Sequence, residues 1–407
     1  MIPRTDILER AREWQLLPEV VEKDYVLGWV LSGIALHDAT KDAWVFKGGT
    51  CLKKCVIETY RFSEDLDFSL LPSAEYTEAG IRATLLTITA RVADLSGIRF
   101  PAEVLGVKRR GDKLGRTTFE ASIGYAGPLA MPGPPKVRLD LTQHEPVLLP
   151  VERRVILHPY PDSLPAEAAV ATYATPELIA EKTRALWERM RPRDLYDVVL
   201  LAPATPAPND ATALRRVARQ KFAGKSLPLP TAFAIADRAS RDEGLRADWA
   251  NMLGHQLPAT PDLDDFLVRL PDALAWIDEP AAAAAPARRV ARPSVPGAAG
   301  EIVVRPRGVQ VWRAGAPLEA IRFAGASHLL VSFRYHGASR VVEPYSLRRP
   351  RTGNLLLYGF ERRKNGALTD DIRAYNVAEM GNVQVLSDSF KPRYAIELIE
   401  QPGVWRW

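Results

Sequence analysis

One stretch decides the fold: Phe46-Lys47-Gly48-Gly49-Thr50 and, after the run Cys51–Tyr60, Arg61-Phe62-Ser63-Glu64-Asp65-Leu66-Asp67. The two glycines let backbone amides approach an anion, and a helix that begins after them favours phosphate at its N-terminus. Asp65 and Asp67 are two residues apart, so on a strand both carboxylates point to one face. Metal-dependent nucleotidyl transfer requires this arrangement, because Mg²⁺ takes a few carboxylate oxygens together with substrate phosphates.

The size and composition of the chain predict a soluble protein of two or three domains. Its 407 residues are 47% hydrophobic and 25% charged, which is ordinary for globular proteins. The longest apolar run, Tyr25–Leu36, is too short to span a bilayer, and the start lacks the pattern of a signal peptide. Cys51 and Cys55 are interpreted as small core residues rather than as a redox pair. We therefore expect a cytoplasmic protein without a membrane partner.

The net charge of +5 is unevenly distributed along the chain. Residues 300–407 contain 16 Lys+Arg against 10 Asp+Glu, and residues 279–299 add +2, which leaves −3 for residues 1–278 by subtraction. The basic C-terminal part is better suited to contact a polyanion, although solubility alone also explains an excess of this size.

A proline- and alanine-rich segment divides the chain. Glu279–Gly300 contains five consecutive alanines and several prolines, which stop a helix from crossing it. We predict a linker at residues 279–299, a mixed α and β part over residues 1–165, a helical part over residues 166–278 and a β domain over residues 300–407.

Hydrophobic periodicity predicts the individual elements. Before the linker, strands are expected at Trp44–Lys47, Asp65–Leu70, Val104–Arg109, Thr117–Tyr125 and Lys136–Gln143, and helices at Val20–Leu36, Cys51–Tyr60, Tyr76–Leu95, Asp210–Phe222, Thr231–Arg241 and Leu263–Ile277. After the linker we expect a helix at Pro317–Ala324 and strands at Gln310–Trp312, His328–Tyr335, Leu355–Phe360, Val383–Leu386 and Arg393–Ile399.

Asp140 is the best candidate for a third metal-binding carboxylate. It is the one acid in the strand pattern Val137-Arg138-Leu139-Asp140-Leu141. An Asp among buried strand residues is unfavourable unless it is paired or binds a cation. A strand-end Asp that faces solvent is the alternative.

The segment Glu177–Leu201 carries a second set of charged residues. Lys182 and Arg189 are seven residues apart and share one helix face, and a second helix that follows Pro192 carries Asp197. A lysine can hold a nucleotide phosphate as a point charge, and the aspartate can orient that lysine or the incoming hydroxyl. The alternative is a solvated helix surface with Glu–Arg pairs, which contribute little stability.

Together these motifs resemble those of the AbiEii/AbiGii nucleotidyltransferase toxins, the toxin halves of bacterial abortive-infection-type toxin–antitoxin pairs. The resemblance rests on the Gly-Gly-Thr stretch, on the stretch that ends at Asp67, and on Lys182…Arg189…Arg193-Asp194-Leu195-Tyr196-Asp197. It extends from about Val20 through Leu201, with a looser helical match to about residue 275. Because order and spacing both fit, it disfavours the solvated-surface alternative.

The resemblance implies an α+β protein with a polymerase-β-like nucleotidyltransferase lobe, a helical lobe and a cleft for a nucleoside triphosphate and Mg²⁺ or Mn²⁺. It implies that the metal ligands are Asp65, Asp67 and Asp140, that Lys182 and Asp197 complete the catalytic set, and that the nucleotide is bound by Gly48, Gly49, Thr50, Ser63, Lys182 and Arg189.

A second resemblance covers Leu318–Glu397. Its motifs look like those of a WYL domain, a small SH3/Sm-like β-barrel implicated in sensing nucleic acid or nucleotide ligands, although Leu355 and Leu356 replace the naming Trp and Tyr. The resemblance implies four candidate contacts to an anion or a nucleic acid, with scattered surface arginines as the alternative: Arg334, Arg348, Arg349 and Arg373.

Members of the AbiEii family add nucleotides to the 3′ end of tRNA. We therefore expect a Mg-dependent type IV toxin that transfers NMP from NTP to an RNA acceptor, tRNA foremost, and that has a cognate antitoxin. Two alternatives stay open. The same site can nucleotidylate or phosphorylate a protein partner, or a degenerate transferase lobe can serve a regulator that senses ligands through residues 300–407.

Overall fold

The computed structural model describes residues 1–57, 61–72, 75–111, 117–143, 145–202, 208–278, 292–303, 318–351 and 353–398. The chain forms two compact units. The first contains Met1–Arg12, Leu16–Arg184 and Arg216–Pro228, and the second contains Glu13–Gln15, Ala185–Arg215 and Leu229–Trp407. The predicted domain boundaries stay predictions, and most of the predicted linker, residues 279–291, lies outside the described residues.

The first unit is built on a seven-stranded mixed sheet with the strand order β3-β4-β5-β2-β1-β7-β6. The β2–β5 and β1–β7 pairs are parallel and the other neighbours are antiparallel. The strands are β1 Trp44–Lys47, β2 Asp65–Leu70, β3 Gly106–Gly111, β4 Thr117–Gly124, β5 Lys136–Thr142, β6 Glu152–Val155 and β7 Ala169–Thr172. The sequence predicted β1 to β5 to within two residues at each end and missed β6 and β7.

The central strands have two unlike faces. Along β5, Val137, Leu139 and Leu141 are buried, whereas Lys136, Arg138 and Asp140 are exposed. This period of two buries one side of the sheet and leaves the other open.

The elements at the start of the unit are the helices α1 Arg4–Trp14, α2 Pro18–Leu36, α3 Gly48–Cys51 and α4 Glu78–Ser96, and a 3-10 turn at Ala102–Val104.

The glycine turn leads into an irregular helix. The α3 turn begins at Gly48 and continues as a π-helix over Leu52–Val56. The prediction of one helix over Cys51–Tyr60 was therefore wrong at both ends, because the helical turn already begins at Gly48 and the π-helix that follows it ends at Val56. Residues 58–60 lie outside the described residues.

Helices follow the first sheet along the chain. They are α5 Thr175–Arg189, α6 Pro192–Leu201, α7 Pro208–Ala223, α8 Ala232–Arg241, α9 Glu243–Leu253 and α10 Leu263–Leu274. In the second unit, the ring of Tyr196 on α6 stacks on Phe266 of α10 at 5.2 Å between centroids. None of the helices in the described ranges is long and apolar enough to cross a membrane.

The second unit also contains an antiparallel sheet with the order β12-β11-β10-β9-β13, and β8 pairs with β10. Its elements are β8 Glu301–Ile302, α11 Leu318–Ala326, β9 Leu329–Tyr335, β10 Ala338–Arg349, β11 Leu356–Lys364, β12 Ala367–Asn376, a 3-10 turn at Val377–Glu379 and β13 Gly381–Ser389. In the part of the chain that the structure describes, β12 and β13 end the order without pairing with each other, so no closed barrel is formed there.

Two predicted strands of this region have different outcomes. The strand predicted at Arg393–Ile399 is wrong over its described residues, because the only pairing there is an isolated bridge between Glu397 and Ser346. Gln310–Trp312 lies outside the described residues. The sequence missed β10 and β12, which carry many charged residues.

Candidate active site

A row of charged residues crosses four strands of the first sheet. Asp67 on β2 lies opposite Lys47 on the antiparallel neighbour β1 and opposite Asp140 on the parallel neighbour β5. Asp140 in turn lies opposite Glu120 on β4. Because directly paired residues share a face, the row places three acids and one lysine on the open side of the sheet. Asp65 lies on the same face, two residues before Asp67.

The Asp67 carboxyl is the most perturbed acid of this row. Burial raises its pKa to about 6. Lys47 and Lys182 oppose this rise, whereas Asp140 and Asp65 increase it. The structure therefore brings Lys182 of α5 into the electrostatic environment of Asp67. Excess negative charge around one carboxyl is a recurrent feature of functional sites.

Asp140 belongs to the same electrostatic group. Partial burial of its carboxyl group raises its pKa, and the carboxylates of Asp65 and Glu120 add to the rise. Its side chain is exposed on the open face. Asp140 therefore faces solvent, as the alternative interpretation of a solvent-facing Asp expects. It also lies close to two other carboxylates, those of Asp65 and Glu120. Glu120 was missed because nothing in its own strand sequence shows which residue lies opposite.

The glycine turn packs directly against Asp67. Gly48 has φ +83, and a Cβ there would overlap Oδ2 of Asp67. At Gly49 a Cβ would lie 2.6 Å from Nη2 of Arg61 and 3.0 Å from Oγ of Ser63. A side chain at Gly48 would therefore meet both a carboxylate and an unfavourable φ, and a side chain at Gly49 would require Arg61 to move. The turn, the carboxylate and Ser63 thus form one contiguous surface.

Thr50 makes a hydrogen bond within the protein. Its side chain is fully buried, and its hydroxyl donates to the backbone oxygen of Asp65 at 2.5 Å. The hydroxyl therefore joins α3 to the start of β2 in this structure. Contact with a nucleotide phosphate stays a prediction for Thr50, as it does for Gly48, Gly49 and Ser63.

A protein-family model described as "Nucleotidyl transferase AbiEii toxin, Type IV TA system" matches residues 29–278, more than half of the chain. The chain belongs to this family. Among solved structures it is similar to MenT4, a nucleotidyltransferase toxin from Mycobacterium tuberculosis H37Rv, with 20% identity, a TM-score of 0.44, and coverage of 69% of this chain and 91% of that one. The comparison with curated proteins gave no match.

Membership of the AbiEii family makes the chain a nucleotidyltransferase. The family's assignment to type IV toxin–antitoxin systems also implies a cognate antitoxin. The AbiEii match contains the whole row of acids together with Lys182, and it ends before residues 300–407. The WYL resemblance of that last part has no support from the comparisons.

A network of buried ions in this AbiEii protein surrounds Lys47. Burial disfavours its charged form, but Glu145, Glu181 and Asp67 more than offset this, so the pKa of Lys47 is raised. Its ammonium group forms an ion pair with Glu145. Lys47 therefore lies between Asp67 on its own sheet and two acids that the sequence analysis did not identify.

Glu181 connects this network to α5. Burial raises its pKa, but Arg184, Lys221 and Lys47 together bring the value down to about 2. A second α5 carboxylate, Glu177, lies 2.7 Å from Nζ of Lys221 and accepts the backbone N–H groups of Leu148 and Leu149. Lys182, which follows Glu181 on this helix, is 8% exposed.

Arg189 and Asp197 belong to the second unit. Arg189 donates through Nε and Nη2 to both oxygens of Asp194 at 2.9–3.1 Å, a bidentate pair. Asp197 on α6 is fully buried. Their predicted roles in nucleotide binding and catalysis stay predictions.

The four C-terminal arginines occupy separate places. Arg334 on β9 lies opposite Ser339 near one end of β10, whereas Arg348 and Arg349 lie at the other end of β10. Arg348 donates to Glu397 at 2.6 Å, and Arg373 forms an ion pair with Asp371 at 2.7 Å. Any anion contact by these residues stays a prediction.

The residues of the row fit a divalent cation. Within the described residues, no group of three or more His, Cys, Asp or Glu side chains is already arranged to hold a metal ion. The carboxylates of Asp65, Asp67 and Asp140 nevertheless share one face, and carboxylate oxygen is the donor that Mg²⁺ and Mn²⁺ prefer. A cation would also neutralise the charges of Asp65 and Asp140, which add to the rise in the pKa of Asp67 that burial causes.

Proposed function

We propose that this AbiEii protein transfers NMP from a nucleoside triphosphate to the 3′ end of an RNA, with tRNA as the acceptor and Mg²⁺ as the cofactor. The observation that carries the proposal is the row of Lys47, Asp67 and Asp140 beside the glycine turn. It offers carboxylates for a metal, an open surface for a triphosphate and nearby lysines for phosphate charge.

In the proposed reaction, the 3′-oxygen of the acceptor attacks the α-phosphorus, and the bond from that phosphorus to the β-phosphate oxygen breaks. Pyrophosphate leaves, and the proton of the acceptor hydroxyl passes to water. Asp65, Asp67 and Asp140 would hold Mg²⁺ or Mn²⁺, which supplies charge neutralisation for the triphosphate and lowers the pKa of the acceptor hydroxyl.

The protein's own part is to position the triphosphate and to balance its charge. Lys182 would bind a phosphate of the leaving group as a point charge, because it lies in the environment of Asp67. The Gly48–Gly49 turn would keep the floor of the site free of side chains, and Ser63 beside Gly49 would donate to a phosphate oxygen.

The test is label transfer by the purified full chain. With α-labelled triphosphates and total bacterial tRNA, the wild type is expected to label RNA, and Asp67→Asn and Asp65→Ala are expected to abolish the labelling. Asp94→Asn, an exposed acid on α4, is the matched control and should label like the wild type. If Asp67→Asn labels RNA as fast as the control, the assignment of the site is wrong.

The same assay separates the other chemistries. Label that is retained from the γ-position indicates phosphorylation, and α-label on a protein indicates nucleotidylation of a protein. Either outcome would contradict RNA as the acceptor.

We further propose that the activity serves phage defence through abortive infection in the cytoplasm, and that the C-terminal sheet has a WYL-like sensing role. That sensing role predicts that the full chain binds a nucleotide or nucleic acid in a manner that Arg334→Gln or Arg349→Gln weakens.

A further inference from the structure

We propose that the open face of the first sheet, from β5 to the edge strand β3, is the surface over which the RNA acceptor runs. The inference rests on the proposed function, since it assigns the acceptor of that site to a surface. The residues of this surface, named the edge track, are Lys136 and Arg138 on β5 and Lys108 and Arg110 on β3.

Strand register places these four cations on the same face as the acids. Lys108 lies opposite Glu120, which lies opposite Asp140, so one row leads from Asp67 to Lys108. At a strand spacing of about 4.8 Å, three steps separate Lys108 from Asp67 by roughly 14 Å. Arg138 lies opposite Asp65 on the neighbouring strand. The cations therefore begin beside the acid group and continue to the edge of the sheet.

The edge track is accessible. Lys108, Arg110, Lys136 and Arg138 are all exposed, and β3 is the first strand of the sheet order. Arg110 forms an ion pair with Glu120 at 2.7 Å between side chains that are 66% and 42% exposed. A pair so exposed contributes little stability, so a phosphate can replace the carboxylate as the partner of Arg110.

The charge distribution favours a nucleic-acid strand. The acids form the centre of the face, where a metal and a reacting 3′ end would lie, and the cations flank them toward one edge. A strand whose end reacts at Asp67 must leave the site across a neighbouring part of the protein, and cations along that path neutralise its phosphates. The net charge of residues 1–278 does not reveal this group of cations. Over the whole of that segment acidic residues outnumber basic ones, and the net charge is −3.

The opposite face of the same strand supplies a matched control. Arg109 lies between Lys108 and Arg110 but is opposite the buried Phe119, so its side chain belongs to the other face of the sheet. Replacing Arg109 removes one positive charge from the same exposed strand without touching the edge track. A nonspecific effect of net charge would therefore also appear in Arg109→Gln.

The experiment measures the binding of 5′-fluorescein-labelled total bacterial tRNA to the full chain by anisotropy, over a range of salt concentrations. For Lys108→Gln/Arg110→Gln we expect the dissociation constant to rise about tenfold or more. The slope of log K against log[salt] should fall by about 0.7–0.9 for each phosphate that the variant no longer neutralises. In label transfer, KM for tRNA should rise while KM for the triphosphate stays unchanged. Arg109→Gln should bind like the wild type.

Two results would overturn the edge track. One is an unchanged tRNA affinity and salt slope in the double variant while the wild type transfers label to RNA, which would leave the proposed function intact. The other is a double variant that loses affinity for an acidic protein partner but not for tRNA. Failure of the proposed function itself would show separately, as RNA labelling that is absent from the wild type or undiminished in Asp67→Asn.

Discussion

Lys54 and Asp24 form an ion pair of 2.6 Å between Nζ and Oδ2, and their side chains are only 1% and 2% exposed. Lys54 lies on the π-helix that follows the glycine turn, and Asp24 lies on α2. The hydroxyl of Tyr160 also donates to Oδ2 of Asp24 at 2.9 Å. The pair therefore joins the segment that follows the glycine turn to the largely buried helix α2. Burial lowers the pKa of Lys54, and Asp24 opposes that change.

Removing one member of this pair should strongly destabilise the protein. We expect Asp24→Leu to lower the free energy of unfolding by about 3–5 kcal/mol, because it leaves a buried lysine without its counter-ion. The double variant Asp24→Leu/Lys54→Met should recover much of this loss, since it buries no charge. Urea denaturation of the single and double variants measures both changes. A double variant no more stable than Asp24→Leu would contradict this account of the pair.

Asp67 should lower the stability of the protein while it enables activity. Its pKa is raised from 3.8 to about 6, so the folded state holds the proton more tightly than the unfolded state does. Above pH 6 the ionised carboxylate therefore destabilises the fold, by roughly 2–3 kcal/mol, and the effect disappears as the pH falls below about 4. Asp67→Asn should be more stable than the wild type at pH 7.5 and equal to it near pH 4.

The measurement is chemical denaturation of both proteins across that pH range, with and without Mg²⁺. Added Mg²⁺ should stabilise the wild type and leave Asp67→Asn unchanged, because a ligand that binds only the folded state raises its stability by mass action. Asp94→Asn should follow the wild type in every condition. Equal stability of Asp67→Asn and the wild type at pH 7.5 would show that the ionised Asp67 carboxylate does not destabilise the folded state.

The alternation of polar and apolar residues predicted the strands that carry the candidate site, but it did not predict all of the charged residues in that site. The run from Asp65 to Leu70 alternates polar and apolar residues, and β2 has those bounds. By contrast, Glu145 and Glu120 reach the site through the tertiary fold and through pairing between strands, and a single sequence does not contain that information. The strands β10 and β12 were missed for a related reason. Their charged residues are stabilised by cross-strand partners, such as Arg340 with Glu361, rather than by an apolar alternation.

We expect that replacing Gly48 reduces activity, both through the contact with Asp67 and through backbone strain. A second glycine with positive φ, Gly133, separates the two effects. Gly48→Ala would force Cβ into Oδ2 of Asp67 and would also strain a backbone with φ +83. Gly133 has φ +96, but a Cβ there would meet nothing within 4 Å. Both variants should lose about 1–2 kcal/mol from backbone strain.

Only Gly48→Ala should also displace the Asp67 carboxylate. A displacement of about 1 Å is expected to reduce label transfer by about 100-fold. Parallel measurement of unfolding free energy and label transfer for the two variants checks this expectation. Similar activity in Gly48→Ala and Gly133→Ala would mean that contact between the turn and Asp67 does not matter for catalysis.

Glu145 should set how strongly Lys47 competes with a metal for Asp67. Its carboxylate pairs with the Lys47 ammonium, and both side chains are 12–13% exposed. In Glu145→Gln the lysine loses its strongest partner and is drawn toward Asp67, so a cation must displace a stronger competitor. We expect the Mg²⁺ concentration for half-maximal label transfer to rise about 10–100-fold, with a smaller change in the maximal rate at saturating metal.

Titration of Mg²⁺ in the transfer assay measures this shift, and Glu103→Gln, an exposed acid outside the row, is the control. A loss of maximal rate without any shift in the Mg²⁺ requirement would instead indicate that Glu145 acts on the substrate and not through Lys47.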